Sequence, residues 1–149
     1  MEKLNLPTYN FRIKEENGVT QIFDEFRKKY INLSPEEWVR QHFLHFLVNE
    51  KSYPKGLMLV EKEILVNGLK RRPDLVVYSK NGKARMIVEF KSPKVKVDED
   101  VFFQIAMYNK KLQVPFLILS NGLEHFCAKI DLESGQMKYL KDFPLYSDL

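Results

Sequence analysis

Apolar and polar positions along the 149-residue chain recur with two periods, and the periods predict most of its elements. Phe11-Arg12-Ile13-Lys14 alternates with period two, as a half-buried strand does. Glu16-Asn17-Gly18 is hairpin chemistry, because Asn-Gly tolerates positive φ, and Thr20 to Phe23 resumes the strand. Asp24 to Tyr30 is charged and reads as irregular or short helical chain. From Ser34 the period lengthens. Ser34 is a good N-cap, Pro35 takes the first helical position, and Glu36 and Glu37 load the positive end of the dipole. Val39, Phe43, Phe46 and Leu47 then recur at helical spacing, and the helix ends near Asn49 to Ser52, before Pro54.

Strands follow at Leu57 to Val66, Asp74 to Tyr78 and Arg85 to Phe90. Asn67-Gly68 turns the chain between the first two, and Ser79 to Lys83 forms a hairpin loop between the others. Asp98-Glu99-Asp100 opens a second helix, Val101 to Leu112, with Val101, Ile105, Tyr108 and Leu112 on one face. Pro115 to Ser120, Glu124 to Ile130 and a closing segment at Met137 to Leu140 read as strands. No repeat or linker divides the chain. The order predicts an α/β (α+β) domain with a central mixed β-sheet flanked by helices, spanning residues 1–149, with 1–30 as an N-terminal hairpin extension.

Composition narrows the class. A hydrophobic fraction of 44% suits a globular core and excludes a disordered chain. The single cysteine, Cys127, excludes an internal disulfide framework and points to the cytoplasm; in its apolar strand it reads as a buried structural thiol. No apolar stretch approaches the length of a membrane span, so no membrane partner is expected. His42 and His45 stand three apart on the first helix, but the sequence offers no further zinc ligands to match them. Trp38, Phe43 and Phe46 read as core.

Charge changes the picture more. The net charge is only +4, yet residues 61–96 hold 10 basic and 4 acidic side chains, a local excess of +6. Such an excess is either a solvated face or a polyanion-binding edge. The same window holds Pro73-Asp74 at the start of one strand and Glu89-Phe90-Lys91 at the end of its hairpin partner. Residues two apart on a strand share a face, so Glu89 and Lys91 project together, and antiparallel pairing brings Asp74 near Glu89. Glu89 interrupts one apolar run (Met86 to Phe90) and Asp74 leads straight into another (Leu75 to Val77), where a cation would offset their desolvation. Two converging carboxylates suit a hard divalent cation such as Mg²⁺ or Mn²⁺, which can activate water against a phosphodiester. Lys70, Arg71, Arg72, Lys94 and Lys96 could hold a nucleic-acid backbone.

Asp74 with Glu89-Phe90-Lys91 resembles the signature of the PD-(D/E)XK nuclease superfamily. Gln104 and Tyr108 on the next helix match the Gln-x-x-x-Tyr motif of one of its branches. Pro35-Glu36-Glu37-Trp38-Val39-Arg40-Gln41 resembles the first-helix motif of the N-terminal nuclease domain of type I restriction enzyme R subunits. Leu119-Ser120-Asn121-Gly122 with His125-Phe126-Cys127 is similar to that family too. The resemblance implies a restriction-endonuclease-like fold and a metal-dependent DNA endonuclease. It makes Asp74 and Glu89 metal ligands, with the Phe90 carbonyl also facing the ion, and Lys91 the catalytic lysine. It makes Gln104 and Tyr108 supporting or nucleic-acid-binding residues. It implies a further ligand from the first helix, for which Glu37 is the candidate with Glu36 close behind. R subunits carry a DNA-translocating motor, but this chain has no Gly-x-x-x-x-Gly-Lys-Ser/Thr phosphate loop. Cleavage is therefore expected either to be guided by partner subunits that supply specificity or motor function, or to be weakly specific. The rival expectations are a nuclease-fold module that binds DNA without cutting, and an interaction module that binds only protein.

Overall fold

The computed structural model describes residues 1–149, apart from the side chain of Val66. Three strands, β1 (Ile13–Glu16), β2 (Val19–Asp24) and β3 (Lys29–Asn32), form an antiparallel sheet at the N-terminal end. Asn17 and Gly18 close the first hairpin at φ 53° and 76°, the positive values a tight turn requires. The segment after β2 is a turn into a strand, not a helix. The Asp24 carboxylate explains it: Oδ1 accepts the backbone N–H groups of Phe26 at 2.6 Å and Arg27 at 2.7 Å, and Lys28 sits at φ 57°.

Helix α1 (Pro35–Lys51) starts where the capping residues place it, with Ser34 Oγ accepting the Glu37 N–H at 3.0 Å. It stops at Ser52, which takes a left-handed φ of 62°. Trp38 on its flank donates its indole N–H to the Glu2 carbonyl at 2.9 Å and lies edge-on to the His42 ring.

The predicted strand over Leu57 to Val66 is divided. β4 (Met58–Val60) belongs to the main sheet, whereas β5 (Ile64–Val66) pairs with β6 (Leu69–Arg71) as a separate two-stranded hairpin. The break falls at Glu61, held at φ 54°. β7 (Leu75–Tyr78), β8 (Ala84–Phe90), β9 (Phe116–Ser120), β10 (His125–Ile130) and β11 (Met137–Tyr139) complete a six-stranded sheet in the order β11-β10-β9-β8-β7-β4. All its pairs are antiparallel except β8 with β9, which are parallel and joined by α2 (Glu99–Lys110). Helix α2 begins two residues earlier than its apolar pattern suggested, because Asp98 caps it by accepting the Val101 N–H at 2.9 Å.

The sheet is mixed and covered on both faces. Met86, Val88 and Phe90 of β8 pack toward α1 with Val39, Phe43 and Leu47. Ile87 between them packs toward α2 with Phe102, Ala106 and Leu117. Central strands enclosed this way read as continuous apolar runs, which is why β7 and β8 show no alternation. Just past β9, Gly122 (φ 85°) lies so close to Leu4 that a Cβ there would stand 2.8 Å from its side chain. The N-terminal segment is thereby clamped against the end of the sheet where β8 terminates.

Candidate active site

Register builds the site. Leu75 pairs with Val88, and continuing the β7–β8 ladder by one residue sets Asp74 beside Glu89. The Phe90 N–H donates to Asp74 Oδ2 at 2.7 Å, which ties the Asp74 carboxylate to the end of β8. Glu89 is largely buried, and its carboxyl is pushed up to about 7 by that burial and by the adjacent Asp74 charge, against the opposing pull of Arg71. A pair in which one carboxylate drives the other toward protonation carries the excess charge that a divalent cation neutralises, and its oxygen donors suit a hard ion. Among the described residues no group of three His, Cys, Asp or Glu side chains is placed to hold a metal. An ion held by Asp74 and Glu89 would therefore keep water in several positions, as Mg²⁺ commonly does.

Each carboxylate has its own guanidinium. Arg40 of α1 places Nη2 3.2 Å from Asp74 Oδ1, 2.7 Å from Glu61 Oε1 and 3.5 Å from Glu36 Oε1. Its Nη1 donates to Glu37 Oε1 at 2.7 Å. On the other side, Arg71 at the end of β6 donates from Nη2 to Glu89 Oε1 at 2.7 Å and from Nη1 to Asn109 Oδ1. The Arg71 guanidinium also stacks 4.4 Å from the Tyr108 ring centroid.

The first-helix ligand is placed differently from the expectation. Glu37 is buried, and its oxygens accept from Arg27 Nη2 at 2.9 Å, Arg40 Nη1 at 2.7 Å and Gln41 Nε2 at 3.1 Å. A carboxylate so engaged has no lone pair to offer an ion. Glu36, one residue earlier, is the glutamate whose surroundings include the site: burial and the Asp74 charge raise its carboxyl, while Arg40 and Lys91 lower it.

Lys91 is exposed two residues beyond Glu89, with its backbone N–H donated to the Ser120 carbonyl at 2.9 Å. Its ammonium makes no hydrogen bond or ion pair among the described residues. Tyr108 reaches the site through Arg71, whereas Gln104 lies exposed one turn earlier on α2, its side chain making no hydrogen bond among the described residues. Of the basic window, Arg71 is drawn inward, Arg72 stands 3.4 Å from Glu61 Oε2, and Lys70 and Lys94 are exposed.

Three participants had not been singled out from sequence: Arg40 as a partner of Asp74, Glu61, and Asn109. Glu61 carries a strained left-handed backbone, roughly 1–3 kcal/mol for a non-glycine residue. That conformation is maintained where its N–H donates to the Asp74 carbonyl at 3.1 Å. The signal that could have found it is the pairing of β4 with β7, since Val60 opposite Leu75 puts Glu61 opposite Asp74.

The carboxylate pair stands at the end of the central hairpin of a mixed sheet flanked by two helices, and that architecture defines an α+β domain. Residues 35–144 match the family described as the type I restriction enzyme R protein N terminus (HSDR_N), and the chain belongs to that family. No curated protein matches it significantly. Among solved structures, it is similar to a candidate nuclease of DUF820 from Anabaena variabilis ATCC 29413. The TM-score is 0.46 at 12% identity, covering 90% of this chain and 86% of that one.

Proposed function

We propose that this chain is a metal-dependent endonuclease domain that hydrolyses DNA phosphodiester bonds. The observation that carries the reading is the juxtaposition of Asp74 and Glu89 at the end of β7 and β8, with an untethered Lys91 two residues further on. Asp74 and Glu89 would hold Mg²⁺ or Mn²⁺, which supplies Lewis acidity toward the phosphate and a more acidic bound water. Lys91 orients the attacking water and offsets charge that builds on the phosphate oxygens. Arg40 holds Asp74 aimed at the site, and Glu36 faces the same space. Lys70, Arg72 and Lys94 grip the DNA backbone without reading sequence, and Gln104 and Tyr108 contribute from α2. Target choice or motor function falls to partner subunits.

The test is incubation with supercoiled plasmid and with single-stranded DNA in Mg²⁺, Mn²⁺ or EDTA. Wild type should nick in the presence of metal only, and Glu89→Ala should not. Equal nicking by the two proteins would remove the catalytic claim. A second reading, a nuclease-fold module that binds DNA without cutting, draws on the two guanidiniums that already neutralise both carboxylates. It predicts salt-sensitive DNA binding that EDTA leaves unchanged.

A further inference from the structure

The two arginines hold their carboxylates by different means. Arg40 is 5% exposed and is fixed by Glu37 beneath it and by Glu61 beside it. Arg71 is 19% exposed and sits at the end of a two-stranded hairpin that shares no ladder with the main sheet. The hairpin is attached by the buried Ile64 and by a hydrogen bond from Asn67 Nδ2 to the Leu112 carbonyl at 3.1 Å. Arg71 donates to Glu89 Oε1, one of the oxygens a divalent cation would need. Both cannot occupy that oxygen's open side at full strength, because like charges repel at such a distance.

We propose that Arg71 is an exchangeable cation. A divalent ion entering between Asp74 and Glu89 displaces its guanidinium, which then binds a phosphate of the DNA while remaining stacked on Tyr108. The inference rests on the metal-centre reading above and assigns Arg71 a role beyond general backbone contact. The geometry supports the second half of the exchange: Tyr108 is 47% exposed, so a guanidinium lying on its ring and released from Glu89 faces solvent. A planar fork freed from a carboxylate matches a phosphate equally well. Metal and DNA binding are then coupled, and the coupling must be reciprocal.

The test measures Mn²⁺ affinity by isothermal titration calorimetry on wild type, Arg71→Ala, Arg71→Lys and Glu89→Gln. Circular dichroism checks that each variant is folded. Arg71→Ala should bind Mn²⁺ about tenfold more tightly, the scale of one charge-assisted hydrogen bond removed from a competitor. Arg71→Lys should lie between that variant and wild type. Affinity that is unchanged or weakened in Arg71→Ala, with Glu89→Gln still deficient, overturns the exchange and leaves the metal centre standing. If Glu89→Gln binds Mn²⁺ as well as wild type does, the metal centre itself fails. A second measurement uses duplex DNA with Ca²⁺ as a non-cleaving ion. Ca²⁺ should tighten DNA binding by wild type several-fold and by Arg71→Ala hardly at all, and equal gains would overturn the phosphate half of the proposal.

Discussion

On the helix side of the candidate site, one arginine touches four carboxylates and is almost wholly buried; on the hairpin side, one arginine touches one carboxylate, an amide and an aromatic ring near the surface. The helix side is scaffold. Glu37 is held by Arg27, Arg40 and Gln41, and Asp24 in turn accepts from Arg27 and Gln41, so the network runs from the N-terminal sheet through α1 to Asp74. The hairpin side has no such backing. Removing a member of a buried network leaves uncompensated charge, while removing a partner nearer the surface leaves a group that water reaches more readily. Placing one carboxylate of the pair on each kind of support gives the pair one fixed partner and one more accessible one.

The largest effect should come from the helix side. Arg40→Met should destabilise the fold by about 3–5 kcal/mol in urea denaturation, because Glu37 and Asp74 lose their shared partner. A loss below about 1 kcal/mol would erase the contrast between the two sides. Lys91→Ala should slow metal-dependent nicking by about 100-fold with little change in thermal stability, since its ammonium is exposed and untethered. A matching fall in melting temperature would recast it as a structural residue.

The next effect is pH-dependent. Glu89 ionises at about 7 in the folded chain against an ordinary 4.5, so the folded state holds this proton more tightly. Its contribution to stability is complete below about pH 4.5 and is lost as pH rises toward 7, on the order of 3 kcal/mol. Glu89→Gln should flatten that slope relative to wild type in metal-free denaturation curves, and Mg²⁺ should do likewise. Parallel slopes in the two proteins would show that Glu89 is neither buried nor set against Asp74 as placed. The smallest effect belongs to the hairpin: Arg71→Ala should cost about 1 kcal/mol or less in the same assay.

Much of this was legible in the residues. The caps at Ser34 and Asp98, the apolar runs of β7 and β8, and the tight loop between them follow from local chemistry, and together they set Asp74 beside Glu89. Glu36 and Glu37 could not be separated that way. Successive helical residues point about 100° apart, and which of the two met the sheet depended on how α1 is rolled against β8. Glu61 was hidden because β4 pairs with β7 across an intervening hairpin, a non-local contact. The short β3 was obscured by its charged approach, where Asp24 supplies through its side chain the bonds that a helix would have supplied through its backbone.

Trp38 is the chain's sole tryptophan, and its indole N–H is bonded to the Glu2 carbonyl beside the His42 ring. That makes it an optical reporter of one event. Release of the N-terminal segment from α1 would expose the indole to water and shift its emission to longer wavelength while the sheet signal in circular dichroism persists. Fluorescence and dichroism followed together would then resolve whether the segment clamped at Gly122 lets go before the rest of the molecule or with it.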